Sequence, residues 1–436
     1  MSEVLIIRGG EVITPTGPRR ADVVIVDGLI TEVGVSLERP VGAFEIDAGG
    51  AWVGPGFVDL HTHLREPGRE EAETIETGAA AAALGGYCAV VAMPNTEPTV
   101  DSVAVATYVI ERGRRALVDV VPSGAITIGR EGHQLAPMAE MAAIGVRIFT
   151  DDGTGVQDAA VMRRALTYAR PLGVRLAQHC EDESLAASGS MNESALSSRL
   201  GLTGRPALAE ELMVMRDIEL VRHTGGSLHF LHLSTARSLA FVAAARNEGL
   251  DVTCEVAPHH FSLDEELCAS FDPIFKVHPP LRGHSDVAAL RAALSSNAID
   301  AVATDHAPHA EQLKDLPFDE APPGMLGLEH AASLTHEALG VDQPVHLFRL
   351  LSRGPAAVAQ MRRRDEPRLS GAHGGAVEPG EDANLVVFDP TTSWRVDPQA
   401  LASRSTNTPY AGRQMIGRVR ATIVAGRLVA SEGSLR

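Results

Sequence analysis

Short apolar runs broken by Gly and Asp open the chain, in "VLIIRGGEVI", "RADVVIVDGLITEVG" and "AFEIDAGGAWV". This pattern predicts antiparallel strands and tight turns over residues 1–52. The C-terminus has the same texture in "DANLVVFDP" and "GRVRATIVAGRLVAS". Between the centre and this tail, Arg362–Ala383 is rich in charge, Gly and Pro and reads as a linker. The terminal segments 1–52 and 366–436 are therefore expected to pair into one small β-sandwich made from both ends of the chain.

The intervening residues 53–365 follow a different rhythm. Apolar strand-like runs recur near 53–61, 87–94, 117–122, 145–150, 173–179, 227–233, 251–257 and 299–305. Amphipathic or Ala-rich helical stretches separate most of them, among them Thr74–Leu84, Ala159–Arg170, Ala207–Arg222 and Thr235–Asn247. Strands alternating with helices in this way predict an α/β fold, a (β/α)8 barrel. The interval after the third run carries the weakest helical pattern.

Composition narrows the class. Hydrophobic residues make up 44% of the 436 and aromatics only 4%, so the core must be mostly Ala, Val, Leu and Ile. A formal charge of -18 argues against a nucleic-acid partner, which requires a basic face for phosphates. The Ala-rich run Ala79–Met93 contains glycines and is shorter than the ~18 apolar residues a membrane span needs. The cysteines Cys88, Cys180, Cys254 and Cys268 show no CxxC spacing, and nothing at the N-terminus resembles a targeting segment. A reduced, cytoplasmic setting is the expectation. Of the 38 basic residues, only Lys276 and Lys314 are lysines.

In a barrel of this kind the chemistry lies at the C-terminal ends of the strands. The first run ends in His61-Thr62-His63, within "VDLHTHLREPGR", and strand alternation would place His61, His63 and Arg65 on one face. The fourth ends in Asp151 and Asp152, the fifth in His179, the sixth in His232, and the eighth in Asp305, followed by His306 and His309. Each residue alone has an ordinary explanation: a His at a strand end is commonly hydrogen-bonded or exposed, and an Asp there commonly caps a helix or turn. Four imidazoles and two carboxylates from five strands pointing into one mouth favour divalent metal instead, and suit two Zn²⁺ ions sharing a bridge.

The order HxH, a fourth-strand bridging group, His, His, Asp resembles the amidohydrolase superfamily. Many of its members bridge their metals with a carbamylated lysine, and this chain has no lysine before position 276. Asp151 in "FTDDG" fits that position instead. With "GFVDLHTHLREPG", "MPNT", "QHCED", "GRPALAEE", "LHLST", "PHH", "PPLR", "TDHAPH" and "GLE", the chain resembles the type I dihydroorotases nearly end to end.

That resemblance implies one zinc on His61, His63, Asp151 and Asp305 and another on Asp151, His179 and His232, bridged by Asp151 and a hydroxide. It implies that Arg65, Asn95 and His309 grip a substrate carboxylate, that His63 also meets the substrate, and that the backbone at Pro323 and Gly324 holds the pyrimidine edge. Asp305 is the implied proton carrier in the zinc-dependent, reversible cyclisation of N-carbamoyl-L-aspartate to dihydroorotate, a step of pyrimidine synthesis. A homodimer, or assembly with aspartate transcarbamoylase, is implied on the same basis.

Two positions depart from the family pattern. His278 stands where the family has Asn before "PPLR", and Ala321–Gly324 reads "APPG" where the family has "APFG". Asp152 would point away from Asp151 if the strand continued, and its place on a loop beside the site is left open. Cys180, His259 and His260 are read as packing or supporting residues. Other cyclic-amide hydrolases, such as allantoinases and dihydropyrimidinases, are the nearest alternative, and a non-catalytic partner of aspartate transcarbamoylase is an alternative of another class.

Overall fold

The computed structural model describes residues 4–186, 188–340, 342–362 and 369–436. Eight parallel strands run through the middle of the chain: Phe57–Thr62, Tyr87–Ala92, Asp119–Pro122, Ile148–Thr150, Arg175–Gln178, Leu228–Phe230, Val252–Val256 and Ala301–Val302. Neighbours in this order pair in parallel within two sheets, the first to third strands and the fourth to eighth. Bridges between Gly124 and Phe149 and between Thr62 and His306 join the sheets on both sides, and the barrel closes.

Alternation along the strands builds two cores. Val58, Leu60, Ala89, Val91, Val121, Ile148, Ala177, Leu231, Ala301 and Ala303 fill the lumen, while Phe57, Val90, Val120, Phe149, Leu176, Phe230 and Val302 pack outward against helices. Each fully buried Leu, Val or Phe contributes roughly 1.5–3 kcal/mol. The expected helices appear at Ile75–Leu84, Ala159–Ala169, Ala207–Thr224 and Ala236–Asn247. Local chemistry fixes three of their starts: the side chains of Thr74, Asp158 and Thr235 accept from first-turn amides. After the third strand the chain forms only a 3-10 turn, Ile128–Arg130, and the six-residue helix Met138–Ala143, in keeping with its weak pattern.

The two ends of the chain form one nine-stranded sheet. Strands Val4–Thr14, Gly17–Val26, Leu29–Gly34, Phe44–Asp47 and Trp52–Pro55 come from the N-terminal side, and Leu385–Arg395, Gln414–Val424, Arg427–Ser431 and Ser434–Leu435 from the C-terminal side. The halves meet where Val53 pairs with Val387 and Trp52 with Phe388, antiparallel. Leu5, Ile7, Val23, Ile25, Val53, Leu385, Val387 and Ile423 share one apolar cluster. Hairpin turns at Asp27-Gly28 and Ala425-Gly426 have positive φ at both positions and abut so closely that a Cβ on Gly426 would lie 2.6 Å from Gly28 Cα.

The predicted run 53–61 is two strands, one in the sheet and one in the barrel, divided at Gly56. A Cβ there would lie 2.0 Å from Cys88 Sγ. The expected division between residues 52 and 53 thus falls inside Trp52–Pro55, and the one at 366 lies outside the described residues. Among the described residues no helix is long and apolar enough to cross a membrane.

Candidate active site

The C-terminal ends of the barrel strands bring His61, His63, Asp152, His179, His232 and Asp305 together, all buried. Simple alternation accounts for only some of this convergence. Ile148 faces the lumen and places Thr150 and Asp152 on its side; Ala177 does the same for His179. On the first strand, Asp59 pairs with Val90 and Thr62 with Ala92, so three steps face two. This bulge turns His61 inward although Leu60 also faces the lumen. His232 follows the lumen residue Leu231 and enters the site through a left-handed backbone, with φ +28°. Arg65 and Asp305 are also left-handed, at φ +61° and +48°. Such conformations are costly in non-glycine residues and concentrate at functional sites.

The carboxylate at the centre belongs to Asp152, which corrects the expectation for Asp151. Asp151 turns outward and accepts from the amides of Ile126 and Thr127 at 2.8 and 3.0 Å and from the Thr127 hydroxyl. It closes the loop after the third strand and makes no contact with the imidazoles. The reason is parity: with Ile148 in the lumen, the inward positions are even-numbered.

Each oxygen of Asp152 faces its own pair of imidazoles. Oδ2 lies 3.4 Å from His61 Nε2 and 3.6 Å from His63 Nε2; Oδ1 lies 3.6 Å from both His179 Nδ1 and His232 Nε2. Asp305 Oδ1 stands 3.3 Å from His63 Nε2 and 3.6 Å from His61 Nε2. Most of these separations are long for hydrogen bonds. They are close to the ~3.3–3.4 Å between donors that share a tetrahedral ion at ~2.0–2.1 Å.

Surrounding groups fix the ring tautomers. His61 Nδ1 donates to Glu255 at 3.1 Å, His63 Nδ1 to Asn95 Oδ1 at 2.9 Å, and His179 Nε2 to Glu181 at 3.2 Å. In each ring the nitrogen facing Asp152 is thereby the one free to give its lone pair to a metal ion, as ligation requires. His61 Nε2 is buried without a hydrogen-bond partner among the described residues. Two sets of donors could hold a metal ion, His61, His63 and Asp152 and, on the other oxygen, Asp152, His179 and His232, with Asp305 Oδ1 beside the first.

Electrostatics agree with the geometry. Burial opposes charge on Asp152 and Asp305, yet the surrounding imidazoles hold both carboxyls far below the usual range. Burial likewise opposes the charged form of His61, but Asp152, Glu255 and Asp305 raise it well above an ordinary histidine. His179 is pushed up to about 9 against burial by Asp152 and Glu181. These are sites where a proton stands in for a cation.

A cavity of about 220 Å³ opens onto this cluster, lined among others by Arg65, Asn95, His278, His309, Pro323 and Gly324. Arg65 is held by Nε donating to Pro308 O at 3.1 Å, and burial lowers it to about 10, so it remains charged. Its place depends on the left-handed turn, since the strand ends at Thr62. Asn95 gives its oxygen to His63. His309 Nε2 donates to Pro323 O at 2.8 Å, and burial with the neighbouring Arg65 pushes it down to about 2, so it is neutral and braces the loop. His278 is also neutral, lowered to about 3 by burial, with Nε2 unpartnered among the described residues.

The 322–324 loop is held through its backbone. Pro322 O accepts from Lys314 Nζ at 2.8 Å, Gly324 N donates to Lys276 O at 2.9 Å, and Gly324 O accepts from Asn407 at 3.2 Å. Both lysines of the chain thus serve this wall. Gly324 has φ +134°, and a Cβ there would meet Ala307 Cβ at 2.7 Å.

Sequence reasoning missed Glu255 and Asn407. Glu255 bridges His61 and His229, and those partners outweigh burial to bring its carboxyl down to about 2. A glutamate inside the apolar run "DVTCEVA" was the available signal. Asn407 is buried, accepts from His309 N at 3.1 Å and donates to Ala307 O at 3.0 Å. It comes from the C-terminal segment, and no local pattern marks it.

Comparison with known proteins places these features. A family model described as dihydro-orotase-like matches residues 50–238. The dihydroorotase of Pelotomaculum thermopropionicum is 45% identical over 437 residues, covering 99% of this chain and 100% of that protein. The dihydroorotase of Mycobacterium tuberculosis is 46% identical over 439 residues, covering 99% of each. Among solved structures, L-hydantoinase (dihydropyrimidinase) from Arthrobacter aurescens superposes with a TM-score of 0.86 at 22% identity, over 100% of this chain and 98% of that one. D-hydantoinase (dihydropyrimidinase) from Thermus sp. gives 0.82 at 26% identity, over 99% and 96%. The structural likeness establishes the barrel with its two-ended sheet.

Proposed function

The chain belongs to the dihydroorotase family and is a cyclic-amide hydrolase, and we propose that its barrel mouth closes N-carbamoyl-L-aspartate to dihydroorotate, reversibly, with two zinc ions. The observation that carries this reading is Asp152, whose two oxygens each face a separate pair of imidazoles. His61, His63, Asp152 and Asp305 would hold one zinc, and Asp152, His179 and His232 the other. When bound, zinc supplies an activated water and a Lewis acid beside the ring carbonyl.

The chain's own residues do the rest. Asp305 stays ionised against burial, and its Oδ2 lies 3.8 Å from His259 Nε2 rather than among the other ligands. In the hydrolytic direction Oδ2 takes the proton from the attacking water and returns it to the departing ring nitrogen. Arg65 presents its guanidinium to the substrate carboxylate, and Asn95 keeps an amide N–H for the same group after giving its oxygen to His63. His309, Pro323 and Gly324 form the wall against the ring, and His278 offers one ring nitrogen where an amide would offer a donor and an acceptor. A homodimer or assembly with aspartate transcarbamoylase, and a place in the cytoplasm, belong to the same proposal.

Metal analysis and initial rates on dihydroorotate, allantoin and dihydrouracil test it. About two zinc ions per chain and a preference for dihydroorotate of at least ~100-fold are expected, since a buried guanidinium without its carboxylate is strongly disfavoured. Preference for either neutral ring, or zinc binding without turnover, would overturn the assignment.

A further inference from the structure

The pocket rim carries a second guanidinium that no step above uses. Arg69 lines the same cavity as Arg65 and Asn95, is exposed, and has no side-chain hydrogen bond or ion pair among the described residues. Other arginines of this region are committed: Arg112 to Glu66 at 2.8 Å and Arg130 to Asp152 O at 2.6 Å. On a chain of net charge -18, a free cation at the mouth of an anion site is an exception.

Its backbone is rigid. Arg69 N donates to Arg65 O at 3.0 Å, closing one turn that sets both arginines on the same side, and Glu97 N donates to Pro67 O at 2.9 Å. The Glu66 carboxylate beneath accepts from Ile75 N, Tyr108 Oη and Arg112 Nε at 2.9, 2.8 and 2.8 Å. A Cβ on Gly68 would lie 2.2 Å from Glu97 O, so the turn sits tight against its neighbour. Of the adjacent acids, Glu70 accepts from Gly68 N at 2.9 Å, and Glu71 is exposed.

We infer that Arg69 is a specificity-determining residue that favours the more highly charged member of the reacting pair. This rests on the function proposed above. N-carbamoyl-L-aspartate carries two carboxylates and dihydroorotate one, because ring closure converts the second carboxylate into the ring amide. Arg65 answers the carboxylate common to both. Arg69, at the rim, acts on the whole charge of the entering molecule, and the dianion feels it more.

The test is KM in both directions for wild type and Arg69→Gln, Arg69→Lys and Arg69→Glu, with zinc loaded, at low and high salt. The equilibrium constant ties the two kcat/KM values together, so a variant must lower both by one common factor; the discriminating quantity is KM. For Arg69→Gln at low salt, KM for N-carbamoyl-L-aspartate should rise about 5–10-fold and KM for dihydroorotate about 2-fold. The gap should close toward ~0.5 M salt. Arg69→Lys should stay within about 2-fold of wild type, and Arg69→Glu should exceed Arg69→Gln. Equal KM changes for both compounds, changes indifferent to salt, or no change overturn the role of Arg69 while leaving the proposed function intact. Wild type that turns over neither compound overturns both.

Discussion

In the sheet built from both chain ends, residues alternate between two apolar clusters even across the bulges at Val387/Phe388 and Thr422/Ile423. Leu385, Val387, Ala421 and Ile423 fill the sheet's own core, while Val386, Phe388 and Val424 from the same strands pack toward the barrel. In the barrel mouth the alternation is interrupted repeatedly: by a bulge before His61, by left-handed residues at Arg65, His232 and Asp305, and by strands that end just before the residues of interest. Polar atoms such as His61 Nε2 and His278 Nε2 are buried there without partners among the described residues. One region devotes its residues to burial. The other accepts strain and unsatisfied polar groups so that donors converge on a ligand.

The sharpest way to break this contrast is to exchange the two neighbouring aspartates as targets. Asp152→Ala should lose zinc and at least ~10³-fold in turnover, because both proposed ions share that carboxylate. Asp151→Ala should keep its zinc and most of its turnover while losing about 1–3 kcal/mol of stability, since the amides of Ile126 and Thr127 lose their acceptor. Metal content and urea melts decide between them, and the reverse pattern would return the bridge to Asp151.

Asn407→Ala probes the place where the C-terminal segment reaches the mouth. It removes the bonds to His309, Ala307 and Gly324, so KM for dihydroorotate should rise roughly 10-fold with kcat changed less than about threefold. An unchanged KM would confine Asn407 to a structural role.

Ile423→Ala should have the smallest effect on turnover. This fully buried side chain lies in the sheet core, and its truncation should cost about 2–5 kcal/mol of stability. kcat and KM of the folded, zinc-loaded enzyme should not move. A kinetic change would mean that sheet packing and mouth geometry are coupled.

Much of the barrel was legible because its signals are local and repeated. The helix starts at Thr74, Asp158 and Thr235, the apolar strands and the strand-end histidines can each be read within about ten residues of chain. The identities His61, His63, His179, His232 and Asp305 follow from them, since most residues at the C-terminal end of a barrel strand enter the mouth. The choice between Asp151 and Asp152 was not legible from the strand end alone. It turned on which residues of a three-residue strand face the lumen, and one step reverses every side chain.

The amino-acid sequence alone determined the fold, the candidate metal-binding residue types and, through the absence of lysine before position 276, that a carboxylate stands among them where many relatives would carry a lysine. Only the tertiary structure decided which aspartate faces the imidazoles, how His61 and His232 turn inward, and that Asn407 reaches the wall from the far end of the chain. The physical reason is one of range. Alternation and capping act over a few residues, whereas bulges, left-handed turns and long-range hydrogen bonds are set by neighbours that fold beside them.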